Sequence, residues 1–285
     1  MPLSARFWGA RGSIPSPGPA TARYGGNTPC VELRAPSGAQ LILDAGTGLR
    51  RLGREMVGTR SDAPLDVTLL VTHTHWDHIQ GLPFFLLQFR DGDAVRIFGP
   101  GQPPLSLETI VSRQMEPSVF PVPLSAIHAR MTVTEITGSD FELAGFSVLA
   151  VRACHPGTTY GYSVACPDDR QRFTYLTDNE LGVWESRGIR EDLVRFLRQT
   201  NTLVHDAMYL DAELRERQGW GHSSAREAVL LALDAGCRRV VLFHHDPDHD
   251  DDALERVLEE ALETRDRQGG DLEIQLATEG ATLTC

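Results

Sequence analysis

Short apolar runs punctuated by Gly, Pro and Asp dominate this chain, and only a few stretches switch to a helical period. Leu3 to Trp8 predicts a short strand. Cys30 to Leu33 and Gln40 to Leu43 predict a hairpin around Ala35 to Gly38. Val67 to Val71, apolar but for Thr68, predicts a buried strand. Further strands are predicted at Ala94 to Phe98, and at Met131 to Ile136 and Phe146 to Val151, the last two joined across a Gly138-to-Gly145 turn. Tyr160 to Ala165 and Arg172 to Leu176 form a hairpin turning at Pro167 to Arg170. Thr202 to Ala207, Arg238 to Phe243 and Leu272 to Ala277 complete the strands, with Gly280 to Cys285 as a tail.

Helical spacing predicts Leu49 to Met56, with Arg50, Arg51 and Arg54 outward. It also predicts Leu82 to Phe89, whose apolar face is Leu82, Phe85, Leu86 and Phe89. Leu105 to Met115 and Ile189 to Thr200 follow, the latter burying Leu193, Phe196 and Leu197. Ser224 and Glu227 form a capping box for Ala225 to Ala235. Ala253 to Gln268 turns Leu254, Val257, Leu258, Ala261 and Leu262 inward. Three prolines exclude a central strand or helix from Met115 to Leu124, whose apolar residues are expected to cover a core rather than line a substrate mouth. Strands outnumber the helices a doubly wound fold needs. The pattern therefore predicts an α+β chain of two sheets packed face to face with helices outside.

Composition changes this picture little. The 285 residues are 41% apolar and 23% charged, an ordinary globular balance. A formal net charge of -12 disfavours loose binding to nucleic acid or anionic membranes. Five cysteines match no paired zinc spacing and, being odd in number, give no disulfide framework. No signal peptide and no apolar span of membrane length is evident, so a cytoplasmic location is expected.

Candidate chemistry gathers where strands end. His73, His75, Asp77 and His78 follow the Val67 strand as H-x-H-x-D-H. Imidazole and carboxylate are ligands for Zn²⁺, Mn²⁺ or Fe; His73 and His75 can share one ion, while Asp77 and His78 reach a second. Asp44 ends the Gln40 strand, either as a turn Asp or as an acceptor behind a ligand imidazole. His155 follows the Phe146 strand. Asp178 follows the Arg172 strand, as a cap or as a carboxylate bridging two ions. His205 and Asp206 end the next strand, and His222 sits just before the Ser224 helix. His244 and His245 follow the Arg238 strand and should point oppositely; Asp246 and His249 come just after. The glycine-rich loop after Trp8 carries Arg11, Ser13, Arg23, Tyr24 and Asn27, and can lie close to a ligand.

The H-x-H-x-D-H stretch, with Asp44, His155, Asp178 and His244 in order after strands, resembles the metallo-β-lactamase superfamily over nearly the whole chain. The His222 loop, and segments 7–13 and 23–28, resemble its ribonuclease Z-like and small cyclic-phosphate phosphodiesterase branch. The resemblance implies an αββα sandwich of two mixed sheets flanked by helices, residues 1–285 as one hydrolase domain, and two divalent ions, Zn first and Mn or Fe as alternatives. It implies His73, His75 and His155 on one ion, Asp77, His78 and His244 on the other, Asp178 between them and Asp44 behind. It implies His222, paired with Asp206, beside the substrate phosphate, with Asp77 also among the catalytic residues. The expected activity is hydrolysis of a small phosphodiester such as a cyclic nucleotide by a hydroxide held on the dinuclear centre. A lactonase or other ester hydrolase, a ribonuclease Z-like nuclease and a non-catalytic metal-binding sensor are the alternatives. The expected partners are the small substrate and, as an option, a second copy of the chain, without stable nucleic-acid binding and without a membrane.

Overall fold

In the computed structural model, which describes residues 3–59, 63–166, 171–182 and 190–285, each half of the chain builds one seven-stranded sheet. The first half supplies β1 (Ser4–Gly9), β2 (Cys30–Arg34), β3 (Gln40–Leu43), β4 (Asp66–Leu70), β5 (Ala94–Gly99) and β6 (Arg130–Glu135). The second supplies β7 (Asp140–Leu143), β8 (Phe146–Arg152), β9 (Tyr160–Ala165), β10 (Arg172–Leu176), β11 (Thr200–Asp206), β12 (Arg239–Phe243) and β13 (Glu273–Leu276). A last strand, β14 (Thr282–Thr284), returns to the first sheet and pairs with β1. Each sheet runs antiparallel first and parallel afterwards: β3 to β6 are parallel, and so are β10 to β13.

Alternation along the strands sorts the core into layers. Leu41 and Leu43 face the opposite sheet, while Ile42 faces outward. Val204, Val241 and Phe243 are inner residues, while Leu203, Val240 and Leu242 lie beneath the helices. Burial on both faces is why these strands read as unbroken apolar runs. Outside the first sheet lie α1 (Gly48–Thr59), α2 (Trp76–Ile79) and α3 (Leu107–Arg113). Outside the second lie α4 (Arg190–Leu197), α5 (Asp211–Leu214), α6 (Ala225–Ala235) and α7 (Asp251–Gln268). The architecture is the predicted sandwich of two mixed sheets flanked by helices.

The capping box holds: Ser224 Oγ accepts from the Glu227 amide at 3.3 Å, and the Glu227 carboxylate accepts from the Ser224 amide at 3.1 Å. Asp250 caps α7, accepting from the Ala253 amide at 2.7 Å, so that helix starts slightly earlier than its apolar period. Ile189 and Pro167 to Arg170 lie outside the described residues.

Four expectations are corrected. Residues 82–89 are not one helix but two 3-10 turns, Leu82–Phe84 and Leu86–Phe89, with Phe85 extended between them. Phe85 and Leu87 point inward and Leu86 is 40% exposed. The buried Gln88 amide donates to the carbonyls of Leu82 and Pro83, which satisfies the irregular backbone. The predicted hairpin between residues 131–136 and 146–151 is also absent. β6 stays in the first sheet beside β5, and the supposed turn contains β7, which turns into β8 at Ala144 and Gly145, both at positive φ. The tail after Gly280 is strand β14. The proline-rich segment covers the core only through Met115, since Val119 is 70% exposed and Phe120 rests on Phe84 with ring centroids 5.4 Å apart.

Candidate metal centre

β3, β4, β8, β10, β11 and β12 all end at one edge of the sandwich, and each leads into a residue of the site. Such an edge is the usual crevice of sheets with parallel strands. Asp44, Asp178 and His244, which follow β3, β10 and β12, adopt left-handed backbone at φ 58, 53 and 62. Left-handed non-glycine residues cost on the order of 1–3 kcal/mol each and persist only where their surroundings hold them. Here all three residues are enclosed: Asp44 0%, Asp178 2% and His244 1% exposed.

Asp44 stands behind the histidines, as one of its two predicted roles requires. Its carboxylate accepts from His78 Nδ1 at 2.8 Å, from the Thr72 amide at 2.7 Å and from the Tyr175 hydroxyl at 3.0 Å. The Thr72 hydroxyl donates to Asp44 and lies 3.2 Å from His73 Nδ1. On the far side, His155 Nδ1 donates to the Gly221 carbonyl at 3.1 Å. In each case Nδ1 is held by protein and Nε2 is left for the centre, the arrangement that fixes a ligand's tautomer.

Two donor sets result. His73, His75 and His155 converge in one group, and Asp77, His78, Asp178 and His244 in another. His155 Nε2 lies 3.0 Å from His75 Nδ1. Asp77 Oδ2 lies 3.2 Å from His78 Nε2 and 3.0 Å from His244 Nε2. The Asp178 carboxylate divides between the sets. Its Oδ1 faces His73 and His155 Nε2, each at 3.7 Å, and its Oδ2 faces His78 at 3.2 Å and His244 at 3.4 Å.

The donors fit a pair of divalent cations. His73 Nε2 and His78 Nε2 are buried without hydrogen-bond partners, a costly state for polar atoms unless something else meets them. Burial, aided by neighbouring imidazoles, holds His73, His75 and His155 below the usual imidazole range, His155 at about 4, so their lone pairs are free at neutral pH. Burial also opposes charge on His78, but Asp77, Asp178 and Asp44 outweigh it and draw a proton there. Binding a cation would release that proton.

Asp44→Asn is expected to weaken metal affinity by roughly 10–100-fold, because the imidazoles lose the carboxylate that orients them. Titration against a competing chelator reads the constant, and an unchanged value would leave Asp44 as a turn residue only.

The glycine-rich loop acts as a brace. Arg11 is buried, donating to the carbonyls of Asp246 at 2.9 Å, His249 at 2.7 Å and Gly25 at 3.0 Å. It therefore faces no ligand. Arg23 and Tyr24 engage Glu255, and Asn27 engages Glu279. Only the loop's tip reaches the centre: the Ser13 amide donates to Asp77 Oδ2 at 2.8 Å. Gly12 is obligatory beside it, since a Cβ there would lie 2.5 Å from His244 Nδ1. His244 and His245 do point apart. His245 donates to the Ala277 carbonyl at 2.8 Å, and burial holds it down at about 3, so it is a neutral core residue. His249 pairs with Glu213 at 3.1 Å, and Asp246 caps its own turn through the Asp248 amide.

His222 and Asp206 meet at 2.7 Å, Nδ1 to Oδ2. Asp206 also accepts from the amides of Ser223 and Met208. The His222 ring stacks on His244, with centroids 4.9 Å apart and planes at 19°. It lies within reach of His155 and Asp178. Burial opposes its charge, but Asp206 raises it more, with Asp178 and Asp77 adding, to about 9. His205 is buried against its neighbour's backbone, Nδ1 to the Asp206 carbonyl, and takes no part. Glu180 went unread in the sequence. It accepts from the amides of Gly219 at 2.8 Å and Gly221 at 3.0 Å, pinning the loop that carries both His222 and the carbonyl on His155. Its only sequence signal is its place two residues after Asp178.

Residues 40–245 match the family model described as "Beta-lactamase superfamily domain", and the chain belongs to that superfamily. The sequence is 28% identical to ribonuclease Z of Gemmatimonas aurantiaca over 86% of each chain. In fold it is similar to unliganded yeast PDE1 (TM-score 0.72, 15% identity, 100% of both chains) and to human tRNase Z, short form (TM-score 0.65, 21% identity, 98% of both chains). The protein is a metal-dependent hydrolase with clustered His and Asp donors of the binuclear kind. The expectation of no nucleic-acid partner does not stand, since its sequence relatives are ribonucleases. The net charge misled because it is a global sum: it counts Asp44, Asp77, Asp178 and Asp206, whose charge two divalent ions would offset where a phosphate binds. Among the described residues no helix is long and apolar enough to cross a membrane.

Proposed function

We propose that this protein is a ribonuclease Z-like phosphodiesterase that hydrolyses phosphodiester bonds of RNA. The observation that carries this reading is the His222–Asp206 pair, standing beside the two donor sets that Asp178 joins. Two divalent cations at such a site, Zn²⁺ first by its donors and Mn²⁺ or Fe as alternatives, neutralise phosphoryl oxygens and make water nucleophilic at neutral pH.

The chain's own residues do the rest. His73, His75 and His155 would hold one cation and Asp77, His78 and His244 the other, with Asp178 between the two sets. Asp206 keeps His222 protonated through Nδ1. His222 Nε2, which has no hydrogen-bond partner among the described residues, then offers its proton to the leaving oxygen. Trp76 (79% exposed) stands between His75 and Asp77, and Trp220 (61% exposed) precedes Gly221. Solvent-facing indoles beside a phosphate site suit stacked nucleobases.

The test is a panel on metal-loaded protein: an RNA with a 3′ extension, 2′,3′- and 3′,5′-cyclic nucleotides, bis-p-nitrophenyl phosphate, a lactone and a β-lactam. RNA cleavage exceeding cyclic-nucleotide turnover in kcat/KM is the expected result. A cyclic nucleotide is the runner-up, because it presents the same diester and so small an anion is little opposed by the charge of -12. Turnover of the lactone alone would replace the reading with an ester hydrolase.

A further inference from the structure

Beside the metal loops, α1 and the segment after α2 diverge and leave a surface groove of about 320 Å³. The two walls start from a common root, where the Ala45 amide donates to the His78 carbonyl and the Gly81 amide to the Ala45 carbonyl. Gly53 lets α1 sit tightly on Phe85, since a Cβ there would lie 2.8 Å from that ring. The groove is lined by Arg50, Arg54, Phe84, Phe89, Phe120 and Val122. Phe84 is 51% exposed and meets Phe120 edge to face.

Its charge is unusual for so acidic a chain. Arg50 and Arg54 are one helical turn apart, a like-charge spacing that costs stability unless an anion lies between them. Neither has an ion pair or hydrogen bond among the described residues, whereas Arg51, on the next face, pairs with Glu279 at 2.8 Å. Unpaired guanidinium groups sharing a groove with phenyl rings, one of them half-exposed, match a nucleotide, whose phosphate takes the cations and whose base stacks on the rings. A volume near the lower end for ligand sites suits one nucleotide, not a folded domain. A second copy docked here about a twofold axis would set these arginines against their own equivalents.

We propose that the groove of Arg50, Arg54, Phe84 and Phe120 binds a nucleotide of single-stranded RNA outside the metal centre. This rests on the reading of the protein as an RNA phosphodiesterase, and it adds a contact that anchors the substrate strand away from the scissile bond.

The test compares wild type, Arg50→Glu/Arg54→Glu and Phe84→Ala. Each is titrated with a fluorescent single-stranded oligoribonucleotide over a range of salt, and each is assayed on bis-p-nitrophenyl phosphate, which has no base and one phosphate. Phe84→Ala is expected to weaken oligonucleotide binding about tenfold, the usual scale of one lost stack. The double variant is expected to lower the salt slope by about 0.7, the value for one phosphate neutralised on a single strand. Turnover of bis-p-nitrophenyl phosphate should stay at the wild-type level in both, which also reports that they are folded. Unchanged binding in both variants, or no binding by wild type, overturns the groove even if RNA is cleaved. Lost binding in the variants, with no RNA cleavage by wild type, keeps the groove and removes the nuclease reading. Sedimentation showing a wild-type dimer that these substitutions dissociate would reassign the groove to a second copy of the chain.

Discussion

Asp178→Asn is expected to produce the largest loss in this protein, in metal content and in hydrolysis together. The wild-type carboxylate gives Oδ1 to one histidine set and Oδ2 to the other. Its charge is held ionised although burial opposes it, because His244, His78 and His73 surround it. An amide keeps one oxygen, replaces the other with a nitrogen that has no lone pair to give, and removes the negative charge. Both donor sets then lose their common member. The loss should exceed the roughly 10–100-fold expected when a residue behind a ligand is changed, as at Asp44. Elemental analysis should find about two ions per chain in wild type and clearly fewer in the variant, with the rate falling in parallel. Full occupancy with a wild-type rate would return Asp178 to the role of a turn residue.

His222→Ala should leave both ions bound and still cost roughly 10²–10⁴-fold in rate on a substrate whose leaving group is a ribose alkoxide. An alkoxide departs poorly without a proton, and His222 is the residue held protonated beside the centre. A p-nitrophenolate leaves without help, so its loss should be smaller. The pH profile carries a second signature. Since Asp206 raises His222 to about 9, the proton is present at neutral pH and is lost as pH rises through that value. Bound cations repel the charged ring and shift this fall to lower pH. Wild type should therefore lose alkoxide-leaving activity on the alkaline side, and the variant should lack that limb. Equal losses on both substrates would rule out leaving-group protonation. A drop in bound metal would instead make His222 a ligand, as its closeness to His155 and Asp178 permits.

Much of the sandwich was legible because its signals are local. Runs such as Leu69 to Val71 and Val240 to Phe243 are apolar on both faces, and polar residues of the site follow each of them. Ser224 and Glu227 announce α6 within four positions. The failures share a different cause. Residues 82–89 have a helical spacing of apolar groups, yet Gly53 on α1 opens a space that takes Phe85 and turns Leu86 outward. β6 and β8 look like hairpin partners by proximity, but they belong to different sheets. The final residues look like a tail because their partner, β1, lies at the other end of the chain.

The site divides in the same way. The sequence by itself determined which side-chain chemistry stands at each strand end: His73, His75, Asp77 and His78 after β4, then His155, Asp178, Asp206 and His244 after their own strands. Alternation and chain breaks are properties of neighbouring residues, so one sequence suffices to read them. Only the tertiary structure decided that Asp178 would split its oxygens, that Asp44 would collect His78, Thr72 and Tyr175, and that Arg11 would brace rather than bind. It also decided that Glu180 would pin the His222 loop. These outcomes depend on distances between groups far apart in the chain, and on three left-handed residues whose strain is tolerated only where the packed sandwich encloses them.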